Sequence, residues 1–264
     1  MCRGQGDGMS VEPVDVAVVG VDRLAPLFPA DAPNRALLFS VLEGHNRAVV
    51  VVDDLDSPSS CAMRTDVFGL TFFSTQDTGF LPAAIPPLRQ IGSLELVCPW
   101  GSADALKAPD SFQERAKRLD FFDRAPPAPN PPSLPPGCQI KPIDNDLLAR
   151  CEWRDEFSGT CNPPEAFFES SPGICLVRAD DILCEAYAAW WGNGVCEIGV
   201  VTPAPHRGQG YAALTCEHLA RSCEALGFQT NWTCHEVNAG SVAVARRLGF
   251  RSEIPYELLV YKAA

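Results

Sequence analysis

This sequence predicts an α/β (α+β) protein in two parts, a smaller mixed α/β domain over residues 1–130 and a second domain over residues 131–264. Three observations carry the expectation. Pro126, Pro127, Pro129, Pro131, Pro132, Pro135 and Pro136 crowd one short stretch. Such a stretch forms a semi-rigid extended spacer that continues neither a helix nor a central strand. Downstream, the apolar segments follow the order strand–strand–strand–helix–strand–helix–strand. Between the third strand and the first helix lies His206-Arg207-Gly208-Gln209-Gly210-Tyr211-Ala212, a glycine-rich turn that opens a helix.

Upstream of the prolines, Val14–Val21, Ala48–Val52, Leu70–Phe73 and Leu94–Val97 read as strands. Asn34–Leu42 places Leu37, Leu38, Val41 and Leu42 on one helical face, and Phe112–Phe122 reads as a second helix. Asp53-Asp54-Leu55-Asp56 is a solvated turn, because the spacing and terminal Glu of a calcium loop are missing. Downstream, Leu147–Phe157 and Pro164–Ser170 read as helices, which makes Asp155, Glu156 and Glu165 candidate substrate contacts. Gly173–Arg178 and Ile182–Trp191 form a hairpin, and a Gly192-Asn193 turn leads into Val195–Val201. That register sets Glu185 opposite Val200 and gives it the opposite parity to Glu197. The helix after the glycine turn shows Cys216, Leu219, Ala220, Cys223 and Leu226 on one face and Glu217, Arg221 and Glu224 on the other, and Gly227 ends it. Thr230–Cys234, a helix over Ala239–Leu248 and a strand over Tyr256–Tyr261 close the chain.

A glycine turn at a helix start gathers unpaired N–H groups at the positive end of the helix dipole, a binding site for phosphate. Gly208 and Gly210 let a ligand approach the backbone closely. The spacing is neither that of a nucleotide P-loop nor that of a dinucleotide fold.

Arg207-x-x-Gly210-x-Ala212 resembles motif A of the GCN5-related N-acetyltransferases, Gln/Arg-x-x-Gly-x-Gly/Ala, and the element order on either side matches the core of that superfamily. Asn231-Trp232-Thr233-Cys234, Asn238-Ala239-Gly240-Ser241, Arg247-Leu248-Gly249-Phe250, Tyr256–Tyr261 and Glu197–Thr202 look like the subgroup that includes zwittermicin-resistance proteins. The likeness covers Gly173–Tyr261 and is weaker at Leu42-Glu43-Gly44 and Val49–Asp54. It implies an acyl-CoA N-acyltransferase fold with a mixed, mostly antiparallel sheet. It also implies transfer of an acetyl group from acetyl-CoA to a small-molecule amine.

The resemblance places Arg207, Gly208, Gln209, Gly210, Tyr211 and Ala212 on the pyrophosphate. It puts backbone N–H groups near Val200 and Val201 on the oxyanion and the pantetheine arm, and Asn238 and Ser241 beside the cofactor. Glu197, a carboxylate in a central strand, is either the base that deprotonates the amine or a structural carboxylate bonded across the sheet; Glu185 is the second candidate base. Asn238 also suits the N-cap of the following helix. Where many relatives carry a Tyr as general acid, this chain has Ala245, so Ser241, Tyr211 or water takes that role, or the thiolate leaves unassisted. The same departure supports a second reading, a non-catalytic module that binds acyl-CoA.

Composition narrows the classes. A net charge of −12 over 264 residues disfavours nucleic acid and anionic membranes as partners. It also requires local positive potential for coenzyme A, from Arg207 and from Arg246, Arg247 or Arg251. No run approaches the roughly eighteen apolar residues of a membrane span, and the N-terminus lacks a secretory pattern. The twelve cysteines contain no Cys-x-x-Cys, and the four histidines sit at no zinc spacing. The expectation is buried reduced thiols such as Cys196, Cys216 and Cys223, no metal, and a cytoplasmic setting. Nothing in the sequence sets an oligomeric state.

Overall fold

The computed structural model describes residues 12–99, 101–102, 112–155 and 172–264. In chain order its elements begin β1 (Val14–Asp15), α1 (Val16–Val19), α2 (Val21–Leu24), α3 (Arg35–Leu42), β2 (Ala48–Val52), β3 (Cys61–Thr65), β4 (Leu70–Ser74), α4 (Phe80–Ile91) and β5 (Leu94–Pro99). They continue with β6 (Glu114–Arg124), β7 (Cys138–Pro142), α5 (Asn145–Leu148), β8 (Gly173–Arg178), β9 (Asp181–Gly192) and β10 (Val195–Val201). The chain ends with α6 (Tyr211–Ala225), β11 (Gln229–His235), α7 (Ala239–Arg247) and β12 (Phe250–Tyr261). Two compact units result. One is Met1–Pro33, Ala48–Ala116 and Glu257–Ala264; the other is Asn34–Arg47 and Lys117–Tyr256. The proline-rich stretch lies within the second unit.

In the first unit the strand order is β1-β2-β3-β4-β5, followed by the end of β12. The first four strands pair antiparallel, and β4 and β5 pair parallel. Helix α4 makes the parallel connection and buries Phe80, Leu81, Ala84, Ile85 and Leu88 with Leu94, Leu96, Leu259 and Tyr261. Its Pro82, Pro86 and Pro87 hide it from sequence reading, since proline argues against a helix interior. The expected strand Val14–Val21 is overturned. Asp15 accepts the N–H of Ala17 at 2.8 Å as an N-cap, and the chain turns helical at Val16. Val16 and Val19, one turn apart, go into the core.

In the second unit the order is β6-β11-β10-β9-β8-β7, antiparallel throughout except for parallel β10–β11. This is the mixed, mostly antiparallel sheet. Helix α6 buries Cys216, Leu219, Ala220 and Cys223, whereas Leu226 lies just beyond the helix and is exposed. Glu217 and Glu224 on its other side bind Arg124, and Glu217 also binds Arg221. Helix α3 packs on this sheet. The Asn34 N–H bonds Asp120 at 3.0 Å, and Arg35 reaches Asn231 at 3.2 Å and lies over the Phe122 ring.

Three further expectations need correction. Phe112–Phe122 is not a helix: Glu114–Arg124 is strand β6, paired with β11 from Arg118↔His235 to Phe121↔Trp232. Its Glu, Arg and Lys favour helix in isolation, but pairing and burial of Leu119 and Phe121 outweigh that weak preference. The helix expected over Leu147–Phe157 is the single turn α5, capped by Asp144. Its later part, with Glu156, and the whole of Pro164–Ser170, with Glu165, lie outside the described residues. The hairpin turn is Asn193-Gly194, with φ of 50° and 70°, not Gly192-Asn193. These left-handed residues fit the two-residue turn that matches strand twist. Among the described residues no helix is long and apolar enough to cross a membrane.

Candidate active site

Strand β10 ends at Val201, and a short 3-10 turn over Ala204–His206 brings the chain to Arg207. Gly208 and Gly210 have φ of 74° and 81°, values that side chains beyond glycine rarely adopt. A Cβ on Gly208 would meet nothing within 4 Å. Gly210 is the N-cap of α6 and supplies no side-chain bond to the first-turn N–H groups. The Nη1 of Arg247 lies 3.7 Å from the place of a Gly210 Cβ, whereas Arg246 pairs with Glu253 and Arg251 with Asp123. Of Arg246, Arg247 and Arg251, Arg247 is the one placed at the turn. Arg207 orders the turn by donating from Nε to Thr202 O at 2.9 Å, and Gln209 is exposed. Tyr211 contributes backbone only. Its ring is buried with Cys138, Leu176 and Cys184, and its hydroxyl accepts from Arg178 at 3.2 Å. The half-buried Ala212 completes the first turn.

The β10–β11 ladder runs from Val195↔Gln229 to Glu197↔Asn231 and stops there. Ile198 to Val201, with Val200 half-buried, remain paired to β9 but not to β11. That edge of β10 offers backbone groups at the end of the strand leading into the turn.

The two glutamates occupy different surroundings on one face of the sheet. Glu185 pairs with Val201, not Val200. The alternation Val201–Gly199–Glu197 along β10 then brings both carboxylates to the same side, which corrects the parity drawn from the sequence. Glu185 is fully buried and accepts N–H bonds from Glu152 and Trp153 at 3.2 and 3.1 Å. It lines a cavity of about 350 Å³ with Arg150, Glu152, Asp181, Ile182, Pro203, Pro205 and His206. Burial raises its pKa, opposed by the bonds it accepts. His206 pairs with Asp181, and Arg150 donates to the carbonyl of Asp180. No cation pairs with Glu185 among the described residues.

Glu197 is sealed. Its Oε1 accepts from the Thr233 hydroxyl at 2.5 Å, and its Oε2 is buried without a partner. Burial, and after it the nearby Asp120 carboxylate, push its pKa to about 7 against the pull of Thr233 and Arg118. This is the cross-sheet bond of the structural reading.

Asn238 caps α7 by accepting the N–H of Ser241 at 3.1 Å. Asn238→Ala is expected to cost about 1 kcal/mol, read as a lower urea midpoint at unchanged slope. The Ser241 Oγ accepts from the Trp232 indole at 3.0 Å, and its hydroxyl also hydrogen-bonds the Cys234 thiol. Ala245 is fully buried in the core around α6 and α7. Asp155 is exposed and pairs with Arg154.

The cavity residues Arg150, Glu152 and Asp181 carry no sequence signal, because loops distant along the chain bring them together with His206, which the sequence marks only as the start of the glycine run. The ten described cysteines are free and buried, and among the described residues no His, Cys, Asp and Glu cluster is arranged to hold a metal.

A three-strand meander, a helix opened by a glycine turn and a parallel strand form the core that the resemblance to the GCN5-related N-acetyltransferases implies. A model of the GNAT acetyltransferase family matches residues 110–259. The chain belongs to that family. The uncharacterized N-acetyltransferase YdfB of Bacillus subtilis is 24% identical over 127 residues, 47% of this chain and 49% of that protein, so the match spans about half the relative's length. The GCN5-related N-acetyltransferase-like protein of Streptococcus suis superposes with a TM-score of 0.65 at 21% identity, covering 90% of this chain and 97% of that one. A tandem GNAT protein from the clavulanic acid biosynthesis pathway has a TM-score of 0.62 at 14% identity, with 96% and 98% covered.

Proposed function

We propose that the protein is an N-acetyltransferase that moves an acetyl group from acetyl-CoA to a small-molecule amine by direct attack on the thioester. The observation that carries this is the open start of α6, with two left-handed glycines, uncapped N–H groups and Arg247 at its mouth. That arrangement fits a pyrophosphate. Acetyl-CoA, when bound, supplies the thioester carbon; the amine nitrogen forms its new bond there as the C–S bond breaks, and the surplus nitrogen proton goes to sulfur.

The chain's own part is proton transfer and positioning. Glu185 faces the cavity beside Val201, so it is placed to take the proton that an incoming ammonium must lose. No cation pairs with its carboxylate among the described residues, which favours a positively charged acceptor. The free backbone edge at Val200 and Val201 meets the charge that grows on the thioester oxygen. Ser241, held by Trp232 and by the Asn238 cap, is the side chain to which we assign protonation of the leaving thiolate. The residues quoted from Asn231 to Tyr261 favour kinship with the zwittermicin-resistance subgroup, and the free thiols favour a reducing cytoplasm.

Calorimetric titration with acetyl-CoA, followed by a thiol-release assay over a panel of amines, tests the reading. Binding with sustained release is expected. Tight binding without turnover on every amine would leave the non-catalytic module that Ala245 suggests, and no binding would remove both. Glu185→Gln is expected to lower turnover at pH 7 by about 100-fold, with a smaller loss at high pH, where the amine deprotonates in solution. A loss of that size in Glu197→Gln and not in Glu185→Gln would transfer the role to Glu197.

A further inference from the structure

The first unit carries the same frame as the second. Strand β1 and helical turns precede an antiparallel meander β2-β3-β4, helix α4 returns the chain, and β5 lies parallel to β4. In the second unit β7 and α5 precede the meander β8-β9-β10, α6 returns the chain, and β11 lies parallel to β10. Even the closing strands correspond. The last strand of the first half, β6, lies beside β11, and the end of the last strand of the second half, β12, lies beside β5.

The corresponding anion sites differ. Between β4 and α4 the chain reads Thr75-Gln76-Asp77-Thr78-Gly79, with no cationic residue. The N-cap Gly79 has an ordinary right-handed φ of −86°, unlike Gly210. The Asp77 carboxylate already occupies the helix start, accepting the N–H of Gly79 at 2.8 Å. Of the first three helical residues, Phe80 has its N–H on the Asp77 carbonyl at 3.2 Å, and Pro82 has none. A phosphate there would lose the helix donors and meet a fixed negative charge.

We infer that the first unit is a second acetyltransferase frame whose phosphate-binding turn is closed by Asp77 and Pro82, so that the chain binds one acyl-CoA, at Gly208–Ala212. The count of one rests on the proposed function; the closure rests on the first unit alone.

Titration of the full chain with acetyl-CoA tests it. One equivalent is expected in the wild type and none in Gly210→Glu. Gly208→Asp serves as a second variant, since Asp tolerates a left-handed backbone better than most residues and its Cβ meets no neighbour. Circular dichroism checks that both variants are folded. Asp77→Ala is expected to lower the melting temperature and leave the stoichiometry at one. Two equivalents in the wild type, or one remaining in a folded Gly210→Glu or Gly208→Asp protein, would overturn the inference while leaving acetyl-CoA binding intact. Zero equivalents in the wild type would instead overturn the acyl-CoA reading and the count together.

Discussion

Residues 131–264 produced alone are expected to show no cooperative unfolding transition. The reason is the origin of the strands and helices around that part of the chain. The second unit takes β6 residues Lys117–Arg124 and helix α3 from before the proline stretch. Without β6, the whole edge of β11 from Trp232 to His235 loses its partner. Leu119 and Phe121 leave the core, Asn231 loses its 2.6 Å bond to Asp120, and Glu217 and Glu224 lose Arg124. Without α3, the buried Ala36, Leu37, Leu38, Val41 and Leu42 go as well. Each large apolar side chain withheld from burial costs about 1.5–3 kcal/mol, and the sum over the six large ones, roughly 9–18 kcal/mol, is as large as the 5–15 kcal/mol that holds a typical domain together. Residues 1–130 alone lose Leu259 and Tyr261 from the first unit's core and the Glu257 carboxylate that binds Arg115 at 2.8 Å. A full-length chain nicked within the exposed stretch around Pro126–Pro132 is expected to stay folded, since cleavage there removes none of these contacts. Equilibrium urea unfolding of each piece and of the nicked chain measures this. A cooperative transition in 131–264 alone would show that β6 and α3 are dispensable.

Glu197→Gln is expected to stabilise the protein at pH 8 and to leave it little changed at pH 4. The carboxyl ionises near 7 in the folded chain instead of at its ordinary 4.5, so the unfolded state gives up the proton first. Below pH 4.5 both states hold the proton and nothing is lost. As pH rises from 4.5 to 7, wild-type stability falls, reaching a deficit of about 3 kcal/mol above pH 7. Glutamine keeps an acceptor for the Thr233 hydroxyl and carries no charge. The groups that share this environment are Arg118 and Asp120 of β6, Thr233 of β11 and Tyr256 of β12. Asp120, also raised by burial and coupled to Glu197, adds a slope of the same sign, so the difference between wild type and variant reads Glu197 together with that coupling. Urea unfolding from pH 4 to 8 is the measurement. A wild-type and variant difference that does not change with pH would mean that the folded protein holds Glu197 at its ordinary pKa.

Much of the second unit was legible because its signals are local. Gly173–Arg178 and Val195–Val201 are apolar runs bounded by turn residues, α6 has a one-sided apolar face ended by Gly227, and the glycine turn needs its two glycines for backbone reasons that hold in any fold. The elements that were misread are those whose state depends on a distant partner. Lys117, Arg118 and Asp120 on β6 look like helix surface until β11 is set beside them, and Val14–Val21 looks like a strand until Asp15 caps a helix.

The site divides the same way. The proposed place of phosphate binding rests on residues adjacent in sequence, so Arg207–Ala212 carried that expectation unaided. The contrast between a cavity-lining Glu185 and a sealed Glu197 depends on hairpin register, on where the β10–β11 ladder ends, and on loops at Arg150–Glu152 and Pro203–His206. Only the tertiary structure decides which carboxylate lines the cavity, because burial and access belong to the packed elements around a side chain. The likeness of the two units was hidden for a related reason. Topology is a pattern of pairing between strands, and the sequence of the first unit retains that pattern while lacking the glycine turn that marks the second.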